Sequence, residues 1–83
     1  MATRLLTKSD EWLKLAKKRL DLPKVFLYLK YFEDVDVLVV KITKEPSTYS
    51  KTSLDHDAIY NYDANDELVN IEILDLYGIF VTA

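Results

Sequence analysis

Residues 58–74 constrain the fold of this chain more than any other segment. Residues 58–63 alternate apolar and polar side chains, and residues 68–74 alternate again with a period of two. The intervening Ala-Asn-Asp-Glu segment has the composition of a turn. The pattern therefore predicts a β-hairpin. No group able to perform a reaction is built into it, so it indicates a fold class and no activity.

The first part of the chain predicts one amphipathic helix over residues 9–20. Thr7 and Ser9 are candidate N-caps, and the acidic residues after them suit a first helical turn because of the helix macrodipole. Apolar side chains recur at helical spacing at Trp12, Leu13, Ala16 and Leu20, with Lys14, Lys17, Lys18 and Arg19 on much of the remaining surface. Pro23 ends the helix because it cannot continue the hydrogen-bond ladder.

Two further strands are predicted before the hairpin. Residues 25–32 are rich in β-branched and aromatic side chains, and residues 37–43 alternate as expected for an antiparallel strand with one buried face. The segment 44–57 leaves room for a short edge strand around Tyr49, which Pro46 keeps away from the centre of a sheet.

Together these elements predict an α+β fold with an N-terminal amphipathic helix packed on an antiparallel β-meander of four or five strands. We expect one small domain over residues 1–83, with a helical segment at 1–24, the meander at 25–76 and an apolar tail at 77–83. The predicted core joins the apolar helix residues to Leu38, Val40, Ile42, Ile71 and Ile73.

The composition excludes several classes of protein. No cysteine is present, which removes disulfides, thiolate metal sites and a cysteine nucleophile. A hydrophobic content of 49% is too high for a disordered chain. The longest apolar runs are far shorter than the roughly 20 residues of a membrane span, and no apolar signal-peptide region is visible. We therefore expect a cytoplasmic protein that does not bind membranes.

Charge is divided unevenly along the chain. Residues 1–30 carry eight Lys or Arg and three Asp or Glu, a net +5, whereas residues 31–83 carry three Lys and eleven Asp or Glu, a net −8. One interpretation is that these are ordinary solvated faces of opposite sign. The other is that one half meets an oppositely charged partner, or the opposite half of a second copy.

Three segments together resemble a known family. Residues 36–40 read Asp-Val-Leu-Val-Val, residues 61–63 read Asn-Tyr-Asp, and residues 69–74 read Val-Asn-Ile-Glu-Ile-Leu. They resemble the small prokaryotic family catalogued as domain of unknown function 2283, whose members read roughly Y-D…D-x-L-Y-I, then D-Y-D…G, then V-G-I-E-I-L. The resemblance covers about residues 29–74 and implies a small β-rich fold with no catalytic residues.

The chain departs from that family pattern at several letters. Phe32 stands where the first aspartate is expected, Val39 where the tyrosine is, and Asn70 where the last glycine is. Asp66 or Glu67 occupies the place of the turn glycine. The spacing of the motifs is better preserved than the identities of their residues.

Two carboxylates flank the single histidine as Asp55-His56-Asp57. Side chains alternate in an extended segment, so the two aspartates point one way and His56 the other, which disfavours a catalytic His-Asp pair. Because hard cations take oxygen ligands, Asp55 and Asp57 are the candidate ligands for a divalent metal. The competing interpretation is a solvated acidic loop, and no cofactor is predicted.

Glu72 and the tyrosines complete the candidate groups. Glu72 alternates with Ile71 and Ile73, so it faces either solvent or a cleft near Asp34 or Asp36. The chain also carries tyrosines that could form an aromatic platform, at Tyr28, Tyr31, Tyr60, Tyr62 and Tyr77. Stacking aromatics suit nucleic-acid binding, but the acidic residues on the same sheet repel phosphates, so we expect no nucleic-acid partner.

The predicted function is a non-enzymatic interaction module that associates with itself and that could also bind another protein. The apolar content exceeds what one small sheet can cover, and the tail offers candidate interface residues, Tyr77, Ile79, Phe80 and Val81. Two alternatives remain open at this point. One is an acidic regulatory or inhibitory protein that blocks or imitates the ligand of a nucleic-acid-binding partner; the other is a small metal-dependent enzyme.

Overall fold

The computed structural model describes residues 8–54 and 57–78. The elements in chain order are α1 (Lys8–Lys17), β1 (Tyr28–Phe32), β2 (Val37–Lys41), β3 (Tyr49–Thr52), β4 (Ala58–Tyr62) and β5 (Leu68–Ile73). Every paired strand is antiparallel to its neighbour. The predicted α+β fold, with one helix and an antiparallel sheet, is confirmed. Within the described ranges, no helix has the length and apolar character needed to cross a membrane.

The order of the strands differs from that of a simple meander. The sheet runs β1-β2-β5-β4-β3, so β5 and not β3 lies beside β2. β1–β2 and β3–β4–β5 are therefore two antiparallel units joined through their most apolar strands. β2 and β5 bury every second side chain and occupy the central positions, whereas β3 is exposed along its whole length at one edge. The predicted edge strand around Tyr49 is thus present.

Helix α1 ends at Lys17, before the predicted end at Leu20. Its first turn carries Asp10 and Glu11 and its last turn carries lysines, an arrangement that the macrodipole favours. The chain then tightens into a turn, because the N–H groups of Arg19 and Leu20 both donate to the Ala16 carbonyl, at 3.0 and 3.2 Å. Pro23 therefore lies beyond the end of the helix and does not set it.

The guanidinium of Arg19 joins the end of α1 to the segment that follows β5. It donates to the carbonyl oxygens of Leu74 at 2.6 Å and Leu76 at 3.3 Å, and also to that of Asp75. Three carbonyls held by one planar group fix the position of this segment against the helix. Arg19 is consequently a structural residue and not part of a free basic patch.

The core lies between α1 and one face of the sheet. Its buried members are Ala16, Leu38, Val40, Ala58, Ile71, Ile73 and Leu76. Trp12, Leu15, Leu20 and Ile42 are half-buried against it, whereas Leu13 is half-buried outside this cluster. Positions 12, 15, 16 and 20 share one side of a helix with 3.6 residues per turn, and position 13 is rotated about 100° away from that side.

Two of the turns between strands place an aspartate in the left-handed backbone region, as does the turn after β5 at Asp75. Asp36 has φ 55° between β1 and β2, and Asp66 has φ 63° between β4 and β5. Aspartate tolerates this conformation better than most residues because its short side chain bonds the local backbone. Asp66 is one of the two residues that could stand where the family pattern has a turn glycine, and it adopts the positive φ that glycine favours. Its Oδ1 also accepts from the Tyr49 hydroxyl at 2.6 Å, which raises the pKa of Tyr49 to about 12.

Candidate interaction surface

The sheet has one face that α1 does not cover, which we call the open face. Strand register places one residue from each strand in a row across it, in the order Lys30, Val39, Glu72, Ile59 and Thr52. We call this the central row. These positions alternate along each strand with the core residues, so they point away from the helix.

A second row on the open face is almost entirely polar. It runs through Tyr28, Lys41, Asn70, Asn61 and Ser50, and we call it the amide row. The Nδ2 of Asn61 donates to Asn70 Oδ1 at 2.6 Å and to Glu72 Oε2 at 3.0 Å, while its Oδ1 accepts from the Ser50 hydroxyl. Asn61 is only 8% exposed. All polar atoms of the Asn61 side chain are thus hydrogen-bonded. The network links β3, β4 and β5 and helps to fix their register.

The network lies beside an irregularity in the sheet. The pairing of β4 with β5 shifts between Asn61 and Tyr62, so that Tyr62 opposes Leu68 and Val69 is left over. The carbonyl of Val69 accepts from the N–H groups of Ile42 and Thr43, at 2.8 and 3.1 Å. A bulge disrupts the ladder locally and increases the twist of the strands. Beside it, the Asn61 side chain bonds side chains of both neighbouring strands.

Charges of opposite sign are separated across the open face. Lys30 and Lys41 lie on β1 and β2, and Glu72 lies on β5. In the central row, β2 separates Lys30 from Glu72, so their backbones are roughly 10 Å apart. Lys30 Nζ instead lies 5.0 Å from the centre of the Phe32 ring. Lys30 and Glu72 therefore do not pair with each other within the described part of the chain.

Both edges of the sheet carry a lysine near the middle of a short strand. Lys30 is central in β1, and Lys51 lies within β3 with its Nζ 5.6 Å from the centre of the Tyr62 ring. Short edge strands bearing lysine disfavour pairing with the edge of another sheet. The edges of this protein are thus protected, and its open face is not.

Exposed apolar side chains are concentrated around β1. Among the described residues, large hydrophobic side chains are exposed in this region at Val25, Leu27, Tyr28, Phe32 and Val35. Val25 is the most exposed of them, at 81%. Tyr28 and Phe32 alternate with core-facing Leu29 and Tyr31, so they belong to the open face. Its β1 side is consequently apolar, apart from Lys30.

A buried carboxylate connects the β1–β2 turn to the segment after β5, and we call this contact the Asp36 latch. Asp36 is fully buried, and its Oδ1 accepts from the Tyr31 hydroxyl at 2.5 Å. The N–H of Tyr77 donates to both carboxylate oxygens, at 3.0 and 3.1 Å. Burial and the bond to Asp36 both raise the pKa of Tyr31. This cluster was not predicted from the sequence.

The predicted interface residue Tyr77 belongs to the latch. Its ring meets that of Tyr31 edge to face, with the ring centres 5.3 Å apart, and the ring centres of Trp12 and Tyr31 are 5.5 Å apart. Burial first, and then the nearby charge of Glu11, raise the pKa of Tyr77. Its 37% exposure leaves part of the ring accessible. The other candidates, Ile79, Phe80 and Val81, lie outside the described residues.

The described residues do not form a metal site around the predicted ligand Asp57. Asp57 Oδ1 accepts from the Ser53 hydroxyl at 2.9 Å, which makes it part of a local turn, and Asp55 lies outside the described ranges. Within residues 8–54 and 57–78, no group of three or more potential metal ligands occurs. The metal hypothesis stays a prediction.

The remaining candidates from the sequence are dispersed. Asp36 bonds Tyr31 on the helix side of the sheet, whereas Glu72 lies on the open face, so these two acids do not form a pair. The tyrosines are likewise divided, because Tyr31 and Tyr60 pack against the core and Tyr28 is on the open face. Burial is the main cause that raises the pKa of Tyr60. There is no single aromatic platform among the described tyrosines.

Comparison with known proteins gives one match. The family model described as "Protein of unknown function (DUF2283)" matches residues 29–76. The match extends from β1 to just beyond β5 and leaves α1 outside. No curated protein and no solved structure matches the chain.

Proposed function

The chain belongs to the family of proteins of unknown function DUF2283, and we propose that it serves as a small non-enzymatic interaction module that associates with a second copy of itself. The observation that carries this proposal is the concentration of exposed apolar side chains on and around β1. Exposed apolar patches are typical of protein interfaces.

The size of the chain adds to this argument. A domain of about 60 residues buries only about 60% of the surface of its unfolded chain, so a chain of 83 residues gains little stability from its own core. Covering further apolar surface contributes roughly 25 cal/mol for each Å² removed from water. A second copy that covers the β1 region would therefore stabilise the fold as well as create an assembly.

A closed pair fits the surface better than an open-ended assembly does. Because Lys30 and Lys51 protect the two edges of the sheet, addition of strand to strand is disfavoured. Most self-associating proteins form closed pairs related by a two-fold axis, in which the same patch on each copy meets the other. The open face is such a patch.

The alternative of an acidic protein that imitates nucleic acid finds less support. Such an imitation needs accessible, spaced carboxylates, and two of the acids, Asp36 and Asp63, are unavailable for it because they are buried and hydrogen-bonded within the chain. Binding of nucleic acid itself is disfavoured too, since Arg19 is engaged with backbone carbonyls. Fluorescence anisotropy with labelled DNA and RNA at low salt should show no binding tighter than about 1 μM, a level beyond ordinary non-specific affinity.

Sedimentation equilibrium tests self-association directly. We expect a mass of twice the 9.7 kDa chain at micromolar concentration. Phe32→Ser should weaken the pair, because Phe32 is an exposed apolar residue of β1 that lies on the open face. Leu54→Ser is the matched control, since Leu54 is 97% exposed outside the apolar region around β1. A single-chain mass persisting to roughly 0.1 mM, where even a weak pair would form, would refute the proposal.

A further inference from the structure

We propose that two copies pack through their open faces around a two-fold axis that runs along β2, with Lys30 of each copy facing the partner's Glu72. This inference rests on the self-association proposed above and specifies its geometry. It names the surface, the symmetry and the contact that determines the pairing. Sheets packed in this way would form a two-layer sandwich, with one helix on each outer side.

The strand order makes the charges complementary. β2 has β1 on one side and β5 on the other. Rotation by half a turn about an axis along β2 exchanges the two sides, so that β1 faces the partner's β5 without a shift along the strands. Lys30 and Glu72 lie in the same central row. Each Lys30 is therefore opposite the partner's Glu72, and the contact occurs twice.

The spacing between packed sheets suits this contact. Sheets packed face to face lie about 10 Å apart, with their strands aligned to within about 30°. An extended lysine and a glutamate that point toward each other span that gap. Within one chain β2 lies between the two residues, and their side chains are turned to other groups: Lys30 to the Phe32 ring and Glu72 to the Asn61 amide. The partner thus supplies the counter-charge that each copy lacks.

The centre of the proposed interface is apolar. Val37 and Val39 are half-buried on the open side of β2, directly on the axis, so each meets its own counterpart. Phe32 lies beside Val37 in the register of β1 with β2 and extends this apolar strip. In the amide row, the Tyr28 hydroxyl is placed toward the partner's Asn70. An apolar centre with a polar rim is the usual anatomy of an interface.

One residue gives the geometry an unfavourable contact, which makes it testable. Lys41 also lies on β2, so the axis brings it opposite the partner's Lys41. Its long side chain can bend toward solvent, but the two like charges still oppose pairing. Lys30 and Lys41 lie on the same face and carry the same charge. The geometry nevertheless assigns them opposite effects on self-association.

Neutral substitutions provide the first experiment. Lys30→Ser and Lys41→Ser change the net charge of the chain equally. Sedimentation equilibrium at low salt should show that Lys30→Ser raises the dissociation constant several-fold and that Lys41→Ser lowers it. If both variants shift the constant in the same direction, the axis along β2 is wrong.

Charge reversal provides the second experiment. Lys30→Glu and Glu72→Lys should each raise the dissociation constant about tenfold or more, because each creates two like-charge contacts. When mixed, one variant has only acids and the other only bases at the two positions, so a pair containing one of each should form. The double variant carrying both changes should pair with itself.

Folding of the variants has to be monitored, because Glu72 accepts a bond from Asn61. Glu72→Gln keeps an acceptor oxygen there and removes only the charge, so it should weaken pairing without a large change in the unfolding transition. A dimeric parent whose mass Lys30→Glu leaves unchanged, or failure of the mixed variants to pair, would overturn this geometry and leave self-association standing. A monomeric parent would overturn both.

Discussion

Replacing Asp36 with alanine should be among the most damaging single changes to this fold. The side chain is fully buried, and it bonds the Tyr31 hydroxyl and the Tyr77 N–H. Tyr77 is far from Asp36 in sequence, so the Asp36 latch joins distant parts of the chain. The carbonyl of Asp36 also accepts from the Leu76 N–H at 3.1 Å, but this backbone bond does not depend on the side chain.

Two contributions give the magnitude for Asp36→Ala. Hydrogen bonds to a charged acceptor contribute about 1.5 to 3 kcal/mol each, with the bond from Tyr31 at the low end because it is only partly buried. Alanine at φ 55° adds about 1 to 2 kcal/mol of backbone strain. Relief from burying a charge offsets part of this, so we expect a net loss of about 3 to 5 kcal/mol. A domain of this size has only about 4 to 12 kcal/mol of stability.

Urea denaturation followed by the fluorescence of Trp12 is a suitable assay, because Trp12 packs on Tyr31 beside the latch. Asp36→Gly separates the two contributions: it loses the same bonds but accepts a positive φ, so it should be about 1 kcal/mol more stable than Asp36→Ala. Asp36→Asn keeps an acceptor and should lose the least. Equal stabilities for the alanine and glycine variants, or a loss below about 1 kcal/mol for alanine, would refute this reasoning.

Further predictions concern the core, alkaline pH and the amide row. Ile71→Ala should lower the free energy of unfolding, measured by urea denaturation, by about 2 to 5 kcal/mol, because Ile71 is buried in the core. Ile59→Ala should cause a clearly smaller loss, because Ile59 is only half-buried on the open face. Similar losses for the two variants would contradict the assignment of the two faces. The pKa of Tyr31 is raised in the folded protein, so the Tyr31 hydroxyl loses its proton at a lower pH in the unfolded chain than in the folded one. The free energy of unfolding should therefore fall as the pH rises above about 10, and Tyr31→Phe should make that fall less steep. Asn61→Asp should lower the free energy of unfolding by about 2 to 4 kcal/mol at neutral pH, because a carboxylate cannot donate a hydrogen bond to Glu72. This loss should shrink at low pH, where the two carboxylates become protonated. An unchanged loss at low pH would count against this account.

The local elements were predictable from the sequence because each depends on neighbouring residues. Alternation predicted β4 and β5, and the turn between them forms because Asp63 Oδ1 accepts from the N–H groups of Asn65 and Glu67, at 2.8 and 3.0 Å. Aspartate makes this kind of bond to the backbone two residues further on. The signal is therefore complete within a few residues.

The order and limits of the strands were not predictable because they depend on contacts between distant segments. β1 begins at Tyr28 and not at the predicted residue 25, although the intervening residues have strand-like composition. β2 ends at Lys41, and the N–H groups of Ile42 and Thr43 share the carbonyl of Val69 at the bulge. Alternation within one strand does not show which strand lies beside it.

The candidate surface could be predicted only in part for the same reason. Asn61, Asn70 and Glu72 occupy polar positions of alternating strands, which indicates a solvent-facing side. Their direct contact depends on the register of β4 with β5, and the bulge shifts that register. Leu76 was not predicted as a core residue. It reaches the core because the turn at Asp75, with φ 50°, brings the chain back under the sheet, and sequence alternation does not indicate that turn.

The acidic residues at the positions of the family pattern have two different roles in this structure. Asp36 is buried in the latch, and Asp63 is nearly buried in the β4–β5 turn, where its oxygens bond backbone N–H groups. Both acids therefore act on the fold of their own chain. Glu72 differs because it is half-buried on the open face and bonds only side chains of the amide row. Asn61 holds this negative charge on the face that α1 does not cover. Glu72 is therefore the acid that the proposed pairing uses for contact with the second copy.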